Sequence, residues 1–200
     1  MSRLARYLLL AQVAFFAALA TCALIEPQGL VDNHGWSYYE GRSATIVPYL
    51  LGVLVSIALI LHAAQIAEHT DAPVGLERGL RLLALFVFLD VATPDTVNAV
   101  FYWAHDATSA LLFVYQLGLG LWLVRTIWRT RLGIVLLSVQ FAGGLVAMFS
   151  QLQLVPVLGL GILVFQASFA VLLVASTARL RNAAPVTDVQ VEDATAPAVN

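Results

Sequence analysis

Residues 132–178 form an unbroken stretch of 47 positions with no charged side chain. A helix needs roughly 20 residues to cross a hydrocarbon layer about 30 Å thick, so this stretch is too long for one crossing. In oil every peptide group must bond to another, which leaves the helix as the form in which such a segment crosses. The chain therefore folds back on itself. The natural bend is Gln151-Leu152-Gln153-Leu154-Val155-Pro156, with spans at 132–150 and 155–178 on either side.

The rest of the sequence follows the same plan. Hydrophobic residues make up 60% and charged residues 11% of the chain, more apolar surface than a soluble core can hide. Further apolar runs at 7–25, 46–67, 79–93 and 107–124 bring the expected total to six spans. The fold class is an all-α polytopic bundle over residues 1–181, with a disordered tail over 182–200 that is acidic and Ala- and Pro-containing. The third run is interrupted by Asp90. The first run also admits a signal-peptide reading, with Ala18-Leu19-Ala20 as the cleavage site, but apolar sequence continues past that point to Ile25. Thr93-Pro94-Asp95-Thr96 has the pattern of a helix start, with Thr93 as cap and Pro94 in the first position.

The positive charges fix an orientation. All ten Lys-or-Arg positions are Arg, and nine of them fall on one side of a six-span chain, with Arg42 alone on the other. By the positive-inside rule both termini are expected in the cytoplasm of a bacterial cell, with the bundle in the plasma membrane. Dispersed arginines and a net charge of −2 exclude a nucleic-acid partner. A single cysteine, Cys22, excludes an internal disulfide and a CxxC redox motif.

Polar residues inside or beside the spans are costly in lipid and so are the candidates for function. Asp90, His105 and Asp106 lead. If the fourth helix starts near Thr93, then Asn98, Tyr102, His105, Ser109 and Gln116 form a stripe along one side. The loop EPQGLVDNHGWSYYEGR adds Asp32, His34, Glu40 and Arg42. Together these residues allow an outward-facing pocket for a metal, a lipid headgroup or a small polar ligand. The plainer alternative, which is preferred, is that they are interfacial groups that pair with one another and fix helix register. Trp36-Ser37-Tyr38-Tyr39 reads as a headgroup anchor. His62 reads as an interhelical hydrogen-bond partner. Gln116, Gln140 and Gln166 are mid-depth amides that tie helices together, and Gly52 with Ser56 and Gly143 with Ala147 are small-residue packing faces.

No catalytic constellation stands out. The histidines are dispersed with no HExxH spacing, no serine sits in GxSxG, and Cys22 has no neighbouring base. No catalytic residue, no metal ligand and no cofactor is therefore assigned. The single substantial loop, with NHGWSYYEGR ahead of a Pro-led helix, resembles an uncharacterised family of small six-span bacterial membrane proteins and, more distantly, the DRAM-like proteins. That resemblance implies the architecture and carries over no site residue. Three classes stay open: a non-enzymatic membrane protein that binds a lipid or small molecule or supports a membrane-protein partner, homo-oligomers included; a small transporter or permease subunit; and a membrane-embedded lipid-modifying hydrolase. The first is preferred, because transporters usually show broken helices and paired buried charges that are sparse here.

Overall fold

The computed structural model describes residues 1–31, 35–94, 97–152 and 157–180. Asp32 and His34, part of the expected bend and the tail lie outside these residues. Among the described residues the chain is all-helical: α1 (Arg3–Ile25), the short α2 (Ser37–Glu40), α3 (Ile46–Glu68), α4 (Leu76–Val91), α5 (Ala99–Thr126), α6 (Arg131–Gln151) and α7 (Leu158–Ala178). Five of them, α1, α3, α5, α6 and α7, are long and apolar enough to cross a membrane. That is the make-up of a multi-pass membrane protein.

The sixth long element falls short for a local reason. At 1.5 Å per residue, the 16 residues of α4 span about 24 Å, less than the roughly 30 Å of hydrocarbon. Its first turns also carry Glu77, Arg78 and Arg81. The helix starts abruptly because Gly75 takes a left-handed φ of 97°, a conformation open to glycine with little strain.

The helices run alternately up and down between two ends of a bundle. At the proximal end α1 begins and α7 finishes, joined by the Ser2 hydroxyl, which donates to the Thr177 carbonyl at 3.2 Å. The same Ser2 oxygen accepts from the Ala5 amide, capping α1. Around the bundle α1 packs on α3, α3 on α4, α4 on α5, and α5 on both α6 and α7, while α7 closes back onto α1. The last helix is the best enclosed, with Phe165, Phe169, Leu172 and Leu173 all buried. By contrast α6 turns Leu132, Ile134, Val135 and Phe141 outward, each more than half exposed. A continuous apolar exterior of that kind suits lipid and would be a liability in water.

Close approach is set by small residues. A Cβ on Gly52 of α3 would lie 2.1 Å from the Ala18 Cβ of α1, and one on Gly161 of α7 would lie 2.5 Å from the Ala147 amide nitrogen of α6. The Gly143 and Ala147 face therefore packs helix to helix as expected, and so does Gly52.

Two expectations are corrected here. Thr93 does not start the fourth helix: its hydroxyl donates back to the Leu89 and Asp90 carbonyls, closing α4. The cap of α5 is Asn98, extended at φ −167° and accepting from the Val100 and Phe101 amides. Its carbonyl oxygen satisfies two of the amides a helix start leaves open, so the helix begins six residues after Thr93. The second correction concerns the aromatic loop. Tyr39 is fully buried and Trp36 nearly so, Trp36 lying 5.4 Å from the Phe15 ring of α1, so both pack inward instead of anchoring at headgroups. Gly29 makes room for Tyr39 and its neighbour Tyr38, since a Cβ there would come within 2.6 Å of both.

Candidate functional site

The sequence candidates divide between two environments at the distal end. Asp90 and His105 are brought together where α4 ends and α5 begins. Ser109, one turn beyond His105, donates its hydroxyl to Asp90 Oδ1. His105 Nδ1 lies 3.0 Å from the Thr93 carbonyl and 3.2 Å from the Asp90 carbonyl, and its Nε2 is 2.8 Å from Ser37 Oγ. Carbonyl oxygens only accept, so Nδ1 carries the proton, and in the neutral ring Nε2 accepts from the Ser37 hydroxyl. Thr108 completes the joint, bonding the His105 carbonyl at 3.0 Å and sharing a hydroxyl contact of 3.1 Å with Thr93.

The remaining members of the expected stripe, and Asp106, go elsewhere. Asn98 is exposed and spent on capping, Tyr102 is exposed beside Trp103, and Asp106 is half-buried on the face next to His105. Gln116 is buried deeper in the bundle and bonded to Gln166. Glu40 is buried at the end of α2, which packs on α3. Arg42 turns away from the aspartates, lying 3.9 Å from Glu26 and 4.6 Å above the Tyr38 ring, and Tyr38 itself donates to Glu26 at 2.9 Å. The loop thus reaches α5 through Ser37, a residue the sequence reading placed only within an aromatic anchor. Its spacing gave no signal, because a serine and a histidine 68 positions apart meet only through the tertiary fold.

Open space lies at the other end. Between the first turns of α1 and α4 and the last turns of α3 is a cleft of about 1330 Å³. Arg3, Arg6 and Tyr7 line it from α1, and His62 and Gln65 from α3. His62 is exposed and meets the Tyr7 ring edge-on at 4.4 Å, an aromatic contact in place of the interhelical hydrogen bond expected of it. On the far rim Arg81 is held by two carboxylates, Glu68 and Glu77, each at 2.6 Å.

Among known proteins the chain matches no family model, no curated protein and no solved structure.

Proposed function

We propose that this protein is a six-span bundle of the bacterial plasma membrane with both termini cytoplasmic, and that it binds a small polar ligand or a lipid headgroup without transforming it. Two features support the sixth crossing. Helix α4 lies between α3 and α5, and it carries the chain from the proximal to the distal end in step with the alternation of its neighbours. Arg3, Arg6, Arg78, Arg81, Arg125, Arg129, Arg131 and Arg179 all stand at the proximal end, and Arg42 at the distal one. Under the positive-inside rule the proximal end is cytoplasmic.

Binding is favoured over catalysis by one observation: both ring nitrogens of His105 are engaged, one with two backbone carbonyls and the other with Ser37. A general base must face the proton it takes, and a metal-ligating imidazole needs a free nitrogen. As held, this ring does neither and instead fastens the loop to α4 and α5. The outward pocket remains the second reading, supported by Asp106, which is half-buried beside that joint.

Native mass spectrometry of the detergent-purified full chain tests the proposal, together with a reporter fused to its C-terminus. The expected result is one or more retained lipids or small polar molecules and a cytoplasmic reporter. A periplasmic reporter would reject the six-span orientation, and a chain that carries nothing through purification would reject the binding role.

A further inference from the structure

The cleft at the proximal end has a charge balance that selects a ligand. Arg81 is paired with both Glu68 and Glu77, so neither it nor Glu68 is free to answer an incoming ion. Arg3 and Arg6 have no ion-pair partner among the described residues, and both are exposed to the cleft. They stand three apart on α1, so they share a face one turn deep. The one other carboxylate in the lining is Asp71. Glu77 lies outside the lining, where three arginines, Arg3, Arg6 and Arg81, stand against two carboxylates, Glu68 and Asp71, a surplus of a single positive charge with the histidines left uncounted.

The wall opposite Arg3 and Arg6 is polar and built. His62 and Gln65 are three apart on α3 and so present nitrogen and amide groups on one face. The Tyr7 ring, seated against His62, fixes their distance from α1. On the remaining side the Ser2 to Thr177 bond pins the start of α1 to α7, so the arginines do not sit on a frayed terminus. Guanidinium groups recognise phosphate oxygens in fork geometry, and basic pockets between helices on the cytoplasmic side are where lipid headgroups lodge.

We infer that this cleft is a binding site for a phosphodiester, with Arg3 and Arg6 as the charged contacts and His62 and Gln65 as further hydrogen-bonding ones. One negative charge matches the surplus, whereas a phosphate monoester carries nearly two at neutral pH. The inference rests on the binding role proposed above and gives it a place and a ligand class. Two sources offer that chemistry: the headgroup of a glycerophospholipid in the cytoplasmic leaflet, or a soluble phosphodiester.

The test uses the full chain in detergent, titrated with dioleoylphosphatidylglycerol and, for comparison, with dioleoylglycerol, which lacks the phosphate. Bound lipid is read by native mass spectrometry. The wild type is expected to prefer the phospholipid, and R3Q/R6Q to lose about tenfold in apparent affinity, equivalent to about 1.4 kcal/mol. R125Q/R131Q removes the same charge at the same end but outside the cleft and is expected to bind as the wild type does. Equal loss in the two arginine pairs would show diffuse surface charge and overturn the site, as would undiminished binding in R3Q/R6Q. Because removing arginines can disturb insertion, H62A/Q65A supplies a variant with every arginine in place. It is expected to bind several-fold more weakly, and wild-type affinity there would also overturn the site.

Glycerophosphoglycerol, the soluble headgroup, separates the sources. Displacement of the lipid by it upholds the site and marks the phosphodiester alone as sufficient, while failure to displace upholds the site as one for membrane lipid. A wild type that retains other molecules but shows no preference for the phosphate-bearing lipid would sink the inference and leave the broader binding role standing.

Discussion

Gln116 on α5 and Gln166 on α7 exchange two amide hydrogen bonds, each Nε2 donating to the other's Oε1 at 3.1 and 2.8 Å. The pair uses one donor and one acceptor from each side chain and ties two of the spanning helices at a depth where water is scarce. Interhelical polar bonds in membranes contribute about 0.6 kcal/mol on average, with a maximum near 1.7. Removing one partner is worse, because it leaves a buried amide unmet. Q116L and Q166L should therefore each destabilise the fold by about 1 kcal/mol, while the double variant should fall well short of the sum. A double-mutant cycle on unfolding in detergent measures this, and strictly additive losses would mean that the bonds do not stabilise the bundle.

Helix approach gives a prediction with a built-in control. Gly52 faces Ala18 so closely that a Cβ would sit 2.1 Å from the Ala18 Cβ and 3.2 Å from the Ala14 carbonyl oxygen. Gly118 on α5 has nothing within 4 Å of the same position. G52A should force α1 from α3 and cost about 1–3 kcal/mol, the usual range for overpacking. G118A should leave thermal stability unchanged or slightly raised, since alanine is the better helix former. The reciprocal pair G52A/A18G should recover most of the loss. Equal behaviour of G52A and G118A would contradict the packing described.

These relationships show which parts of the fold were legible in the linear sequence. The spanning helices were, because a charge-free run such as 132–178 has no other stable form in lipid, and the small residues at 52, 143 and 147 announced close packing by their spacing. Helix α4 was harder: Glu77, Arg78 and Arg81 blur its start, and the structure gives it only 16 residues. The start of α5 was misplaced because Thr93-Pro94 carries the same chemistry as a helix cap, and the choice between Thr93 and Asn98 depends on which backbone carbonyls Thr93 meets in three dimensions. Of the candidate site, the approach of Asp90 to His105 was legible from their places near the outer ends of two spans, and Ser109 from its helical spacing to His105. The partner Ser37 was not, and neither was the proximal cleft, whose lining joins residues of α1 to residues of α3 at least 55 positions away that no local pattern connects. Gln140 resists the pattern as well: it was grouped with the other amides, yet it is fully buried with no hydrogen-bond partner among the described residues.

Tyr39 offers a prediction in pH. Its hydroxyl is buried without a hydrogen-bond partner among the described residues, and burial raises its pKa above the usual value of 10, with Cys22, Tyr38 and Glu26 adding to the effect. A raised pKa means that the fold favours the neutral phenol. Its contribution is fully present below the unfolded value and is lost as pH rises through the folded one. Y39F should thus match or exceed wild-type stability near neutrality, by up to about 1 kcal/mol, since it deletes an unmet polar group. Between about pH 8 and pH 11 the melting temperature should fall less in Y39F than in the wild type. Parallel falls would show that this phenol does not couple to folding.

The joint at His105 tests whether the distal cluster is architecture. Loss of Ser37 leaves one ring nitrogen unpartnered, whereas loss of His105 also strips the contacts to the Thr93 and Asp90 carbonyls. S37A should cost about 1–2 kcal/mol and H105A more, within the range for buried polar groups left unmet. The loosening should be local. Helix α2 should exchange its backbone amides faster in both variants, while α6, packed on α7 through Gly143 and not on the loop, should keep its protection. D90N should be mild, because an asparagine oxygen still accepts from Ser109, and D90L severe. If the cluster were instead a ligand site, H105A would abolish ligand retention while α2 stayed as protected as in the wild type. Hydrogen exchange measured alongside lipid retention therefore separates the two readings: faster exchange with retention intact supports the joint, and the reverse pattern would move the binding site to the distal end.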